Sequence, residues 1–315
     1  MEKAHCSITP KAPFDFDLTA GYHTYFQGHY GTDSLDQGVY RRLLDLNGSL
    51  VLASVRSVGT VDSPELSVEL RGSGLTPERV DLAAKQIGWL LGVDQDLAPF
   101  YDLARQDPAM AAVTGQFHGL HLPHTATVFE ALVLGILGQQ IATNVARIIR
   151  TLLIETYGPR GLFDKIFDGE SNDEEPFFAF PRPEALAACP VAELRGMKLS
   201  WRKAEYVQGV AAEFAGGTDM ERATLEVLGD EEVVNRVTQL RGVGRWTAQW
   251  LLIRALGRPD ALPLGDLALR RVVSRLYFSG EPVDDAQVEE FCIPWSPWRS
   301  YATVYWFTAL RRGMA

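Results

Sequence analysis

Cysteine is scarce in these 315 residues: Cys6, Cys189 and Cys292 stand far apart, with no CxxC pair. That spacing excludes a disulfide framework, a tetrathiolate zinc site and a four-cysteine iron–sulfur cluster, and leaves three small core residues. No apolar run is long enough to span a membrane, so no membrane partner is expected. The opening "MEKAHCSITPKAPFDFDL" lacks the apolar core of a signal peptide, so a cytoplasmic protein is expected. An excess of base is missing too, since the net charge is −10. From Phe180 onward 17 basic residues balance 17 acidic ones, and the first part carries the surplus of acid. Part of that surplus, "DGESNDEE" at 168–175, reads as a solvated loop. Any grip on nucleic acid must then rely on something other than a broad basic face.

What is abundant is apolar: 46% of residues, enough to fill a core. "SLVLASVRSV" (49–58) and "ELSVELRG" (65–72) are rich in strand formers. "TPERVDLAAKQIGWLLG" (76–92) opens like a capping box on Thr76 and continues at helical spacing. From Ala98 the pattern turns helical with no strand signal. The stretch 127–158 is too long for one unbroken helix, and Gly138 with the following "QQ" predicts the interruption. Further short helices are predicted over 182–197, 200–217 and 224–240, and an aromatic-faced one over 295–313. The fold class is mainly α with an N-terminal α+β lobe, divided into residues 1–100 and a helical domain over 101–315.

Chemistry concentrates in "LRGVGRWTAQWLLIRALGRPDALPLGDLALRR" (240–271). Gly242 and Gly244 between helical patterns predict a tight hairpin that bares backbone N–H groups, which bind phosphate without net charge. No strand precedes them and no third glycine follows, so this is not a dinucleotide fingerprint. Asp266 stands at a predicted helix N-cap. The same carboxylate, facing a cleft, could stabilise an oxocarbenium-like sugar and orient a water. His118, His121 and His124 in "FHGLHLPH" are spaced three and three, but an intervening Gly and Pro argue for a loop over a metal site.

"LRGVGRWTA" followed by "LPLGDLAL" resembles the helix-hairpin-helix DNA glycosylases, and more closely their 3-methyladenine DNA glycosylase II branch. "GILGQQIA" (135–142), "LSWRKAEYVQGVA" (199–211) and "PWRSYATVYW" (297–306) carry the same resemblance, in order. It implies a two-lobed helical bundle preceded by a small domain like half of a TATA-binding protein. It implies Asp266 as the catalytic carboxylate and the hairpin as a phosphate holder through Gly242, Val243, Gly244, Arg245 and Thr247. Arg241, standing where a proline is usual, would approach a phosphate. Gln139 and Gln140 would contact DNA, with Gln140 at the wedge position. Backbone carbonyls of Thr238, Leu240 and Val243 would hold a monovalent cation, sodium or potassium. No other cofactor and no iron–sulfur cluster are expected. Trp246 stands where bifunctional members carry a nucleophilic lysine, so no Schiff base can form there.

The implied activity is excision of alkylated purines from double-stranded DNA: 3-methyladenine and 7-methylguanine, with hypoxanthine or ethenoadenine as further candidates. The base must be flipped from the duplex, and a cationic base stacks well on electron-rich rings. Trp246, Trp250, Tyr301 and Phe307 are the candidate pocket walls; each could equally be core. The implied protein is a monomer, associated with the nucleoid in a bacterium. The alternatives are a non-catalytic damaged-DNA binder, which would not need Asp266, and an enzyme for oxidised guanine, which would need the lysine.

Overall fold

A computed structural model describes residues 1–164, Phe167 and 174–315. The chain opens with strand β1 (Glu2–Ile8) and helix α1 (Phe16–His23). Then come β2 (His29–Tyr30), β3 (Asp33–Asp36), β4 (Val39–Leu46), β5 (Ser49–Ser57) and β6 (Leu66–Gly72). They form one antiparallel sheet in the order β1-β6-β5-β4-β3-β2. Helix α2 (Pro77–Leu91) packs on it, and Ile87, Leu90 and Leu91 are buried in one core with Val51, Val55 and Val68. The Thr76 side chain accepts from the Arg79 N–H at the start of α2, and Gly92 ends it in the left-handed region at φ 61°. The expected capping box is half a box: position 79 is arginine, which has no acceptor to return a bond.

Helices α3 (Ala98–Ala104), α4 (Pro108–Gln116), α5 (Val128–Gly138) and α6 (Thr143–Tyr157) begin the second core. The break between α5 and α6 falls at the expected glycine and glutamines. A short antiparallel pair follows, β7 (Arg160–Asp164) and β8 (Glu174–Phe178), where no strand was expected. Phe163 and Ala179 bury against Leu43 and Leu52, so the outer face of β4 and β5 is covered as well. This explains why β4 and the middle of β5 are buried on both faces, the Arg41 and Arg42 side chains of β4 included. The acidic run expected as a loop is corrected in part: Glu174 and Glu175 belong to β8, and 168–173 lie outside the described residues.

The remaining helices are α7 (Pro183–Ala188), α8 (Val191–Gly196), α9 (Trp201–Ala215), α10 (Arg222–Leu225) and α11 (Asp230–Val237). They continue with α12 (Arg245–Ala255), α13 (Leu267–Tyr277), α14 (Asp285–Cys292) and α15 (Arg299–Arg311). No helix among the described residues is long and apolar enough to cross a membrane.

Charged groups join sheet to helices. Arg42 of β4 forks to Asp33 (2.9 and 3.0 Å) and to Glu130 in the first turn of α5 (2.7 and 2.9 Å). All three are buried, and Tyr40 and Thr32 also donate to Asp33. His121 and His124 act as struts between the lobes, and the three histidines form no metal-holding group among the described residues. His121 has one ring nitrogen 2.7 Å from the Gly92 carbonyl oxygen and the other 2.9 Å from that of Pro13. His124 Nδ1 donates to Trp89 O at 2.8 Å, and its ring stacks on Trp89. His118 stacks on Tyr101.

Burial brings His23 down to about 4 and His124 down to about 3. An unfolded chain protonates both near pH 6.5, so it binds more protons than the folded one below that pH. The stability they carry is whole above pH 6.5. It drains as pH falls, to about 4 for His23 and to about 3 for His124, by up to about 1.4 kcal/mol per pH unit for each. The melting temperature should therefore drop steadily from pH 6.5 to 4.5. A flat profile would mean that these rings are already protonated in the fold.

Candidate active site

The hairpin begins where α11 ends on Thr238. Val243 N–H donates to Leu240 O at 3.0 Å, closing a tight turn before α12. Gly242 sits at φ 92°, and a Cβ there would lie 2.2 Å from the Tyr206 ring. Only glycine fits. Gly244 differs, which corrects the expectation that both glycines supply special angles. Its φ is −96°, and a Cβ on it would meet nothing within 4 Å. Gly244 is the N-cap of α12 and offers no side-chain acceptor to the first-turn N–H groups, which have no intrahelical partners.

The loop after α5 braces this turn. Gln139 Nε2 donates to Gly242 O (2.9 Å) and to Thr247 Oγ1 (3.0 Å). Gln139 and Thr247 were expected to touch DNA; burial corrects Thr247, while half-buried Gln139 lines the cleft in front of the hairpin. They hold the hairpin from within, and Thr247 is only 1% exposed. Thr247 Cγ2 also lies 2.8 Å from where a Gly135 Cβ would be, so α5 and α12 approach closely. Gln140 is exposed at φ 52°, a left-handed angle that turns its side chain out of the chain's path. Lys203 was missed by sequence reasoning. Its ammonium donates to Leu137 O (3.2 Å) and Gln139 O, closing the C-terminal end of α5. Burial lowers its pKa, with the nearby Arg150 charge adding to the effect. One signal was available: a lysine in the first turn of α9 sits at the wrong end of its own helix dipole. An open cleft of about 510 Å³ fronts these parts, lined by Gln140, Ser200, Lys203, Tyr206 and the hairpin glycines.

Asp266 is the N-cap of α13. Its Oδ1 accepts from the N–H groups of Ala268 (2.8 Å) and Leu269 (3.3 Å). Its Oδ2 accepts from the indole N–H of Trp246 (3.1 Å) and of Trp250 (3.3 Å). Capping and orientation toward the α12 tryptophans thus coexist in one half-buried carboxylate. Trp246 and Trp250 are four residues apart and share a face of α12. Trp250 stacks on Phe307 of α15, with centroids 5.6 Å apart and planes inclined by 19°. Tyr301 does not join them. It packs on Phe100 and Trp298 in the core, which corrects its assignment as a pocket wall.

The hairpin arginines are exposed and paired: Arg241 with Glu205 at 3.1 Å, Arg245 with Glu231 at 3.0 Å. Such exposed pairs are worth little to stability.

Residues 133–297 match the family described as HhH-GPD superfamily base excision DNA repair protein. The chain belongs to that superfamily. A DNA-3-methyladenine glycosylase of Bacillus subtilis is 28% identical over 305 residues, covering 96% of either chain. Among solved structures, a 3-methyladenine DNA-glycosylase from Archaeoglobus fulgidus superposes with a TM-score of 0.81 at 26% identity, covering 98% of each chain. A Clostridium acetobutylicum 8-oxoguanine glycosylase/lyase in complex with double-stranded DNA shares the fold, with a TM-score of 0.72 at 14% identity. It covers 98% of this chain and 99% of its own. The same fold thus serves a protein named as a 3-methyladenine DNA-glycosylase and one named as a glycosylase/lyase.

Proposed function

We propose that this protein is a monofunctional DNA glycosylase that extrudes alkylated purines from duplex DNA and hydrolyses their N-glycosidic bond. The observation that carries this reading is Asp266, held by two indole N–H groups beside the Trp250–Phe307 stack. The names of the Bacillus and Archaeoglobus relatives, both 3-methyladenine DNA glycosylases, support the substrate class.

The chemistry follows from the residues. First-turn N–H groups of α12 take a backbone phosphate at the open Gly244 edge, and Gln140 fills the gap that the extruded nucleotide leaves. The alkylated base stacks on the aromatic pair, worth about 0.5–2 kcal/mol for a cationic ring. The bond from C1′ to the base nitrogen breaks with its electron pair leaving on the base. The Asp266 carboxylate stabilises the sugar cation electrostatically. A water oxygen then bonds to C1′, and its proton passes to Asp266. The products are free base and an abasic site in an intact strand.

Thr238, Leu240 and Val243 suit a monovalent cation by their donor chemistry. Their carbonyl oxygens are hard ligands, Thr238 caps the negative end of α11, and Leu240 O keeps a second lone pair beside its bond to Val243. A cation there would stiffen the turn. The protein is proposed to act as a monomer.

Incubation with methylated duplex DNA should release 3-methyladenine and 7-methylguanine. Tight binding without release would leave only a damage-binding protein. Trp246 bears no amine, so borohydride should trap no covalent protein–DNA adduct; a trapped adduct would show a lyase lysine elsewhere.

A further inference from the structure

Three arginines meet around one tyrosine where the N-terminal residues pack on the helical core. Arg150 of α6 donates from Nη1 to the hydroxyls of Tyr25 (3.0 Å) and Tyr30 (2.8 Å), and from Nη2 to Leu134 O (2.6 Å). Arg311 of α15 lies over two rings, its Cζ 4.3 Å from the centroid of Tyr25 and 4.4 Å from that of Tyr22. Arg254 of α12 lies 5.5 Å from the Tyr22 ring. The Tyr25 and Tyr30 rings meet edge to face at 4.8 Å.

The charges here do not balance. A guanidinium stays protonated and offers donors only. None of the three pairs with a carboxylate among the described residues, and the nearest acid in sequence to Arg150, Glu155 of the same helix, turns to His29 at 3.8 Å. Arg150 Nε, Arg254 Nε and Arg311 Nη1 are buried with no hydrogen-bond partner. Like charges held together away from water repel one another and lose hydration, so a compensating anion is needed. Among the described residues, the acidic protons in contact with these guanidinia are phenolic, on Tyr22, Tyr25 and Tyr30.

The backbone singles out Tyr25. Helix α1 closes through a left-handed turn in which Phe26 N–H donates to Gly21 O at 2.7 Å. Tyr25 at φ 52° and Phe26 at φ 57° both hold angles that favour glycine. Bulky residues keep such angles only where surrounding contacts enforce them. The turn sets the Tyr25 hydroxyl on Arg150 and its ring face against Arg311.

We infer that Tyr25 stands in the folded protein as a phenolate, the counter-ion that ties the guanidinia of α6, α12 and α15 to the N-terminal lobe. Its proton goes to solvent, which the half-buried ring can reach. Ionisation strengthens both contacts: the oxygen accepts a charge-assisted bond from Arg150, and the more electron-rich face attracts Arg311. Burial opposes the charge, but Arg150, Arg311 and Arg254 overcome it and bring the phenol down to about 7. Tyr30 goes the other way, pushed up by burial and by the charge on Tyr25. The clasp bears on the site as well. Arg150 Nη2 stands 2.5 Å from where a Cβ on Gly138 would lie, and so fills the space at the end of α5 from which Gln139 and Gln140 depart. Helices α12 and α15 carry the Trp250–Phe307 stack.

The test is a near-ultraviolet titration of the whole chain that reads the absorbance of ionised tyrosine, with Tyr25→Phe and Tyr30→Phe beside the wild type. Folded wild type should show one tyrosine ionising at about pH 7, against about 10 for an unfolded chain. Tyr25→Phe should lose that step and Tyr30→Phe should keep it. Stability carries the same signature. The unfolded chain holds the Tyr25 proton up to about pH 10, so the stabilisation is whole above that pH and is lost as pH falls through about 7. The folding constant of wild type relative to Tyr25→Phe should therefore rise about tenfold per pH unit across that window. Absence of any tyrosine step below about pH 9 in folded wild type would overturn the inference, whether or not a variant folds. So would a step that survives in Tyr25→Phe, or one that vanishes in Tyr30→Phe instead.

Discussion

Asp266→Asn is expected to abolish base release, by about a thousandfold, while affinity for abasic-site DNA persists. The loss follows from charge: a neutral amide cannot offset the sugar cation, and removing one such electrostatic partner costs about a hundred- to a thousandfold. The geometry adds a second effect. The carboxylate uses one oxygen for the α13 N–H groups and the other for the two indoles. Asparagine has one acceptor oxygen, so it either caps the helix or serves the tryptophans, and its NH₂ meets donors on the other side. A stability loss of about 1 kcal/mol should accompany the lost activity. Asp266→Ser keeps a capping oxygen and separates the two effects, with stability near wild type and release still absent. Near-normal release in either variant would reduce Asp266 to a helix cap.

Arg42→Met should cost about 3–5 kcal/mol, the penalty for leaving buried charges without their partner. Two carboxylates depend on this one guanidinium. Burial works against charge on Asp33, but Arg42 and His23 overcome it and hold its carboxyl below the usual range. Equilibrium denaturation of the whole chain reads the effect, and adding Asp33→Asn and Glu130→Gln to Arg42→Met should recover part of it. Wild-type stability in the single variant would show that the junction is not buried in solution. The consequence reaches the site, because Glu130 opens α5 and Gln139 ends it. The sheet thereby fixes the far end of a rigid helix that braces the hairpin.

The helical core and the α5–α6 break were legible because glycine and helical periodicity leave local marks. Asp266 with Trp246 and Trp250 was legible for the same reason: a cap signal and a four-residue spacing. The β7–β8 pair was not. Its strands are five residues each, one of them opening on two glutamates, and they are held by burial of Phe163 against a distant sheet. Tyr301 misled because α15 is buried on every side from Ser300 to Ala309, so no polar face marks which aromatics point to the pocket. Gln139 and Lys203 act across 103 and 66 residues of sequence, and no local pattern reports such contacts.

The two glycines of the hairpin answer to different masters. The fold itself forbids any other residue at 242, where Tyr206 occupies the space of a side chain. At 244 the free protein would accept alanine, with open solvent where the methyl would go. A single methyl group at 244 would therefore leave the fold untouched and act as a feeler gauge for how closely a nucleic acid backbone seats at this turn.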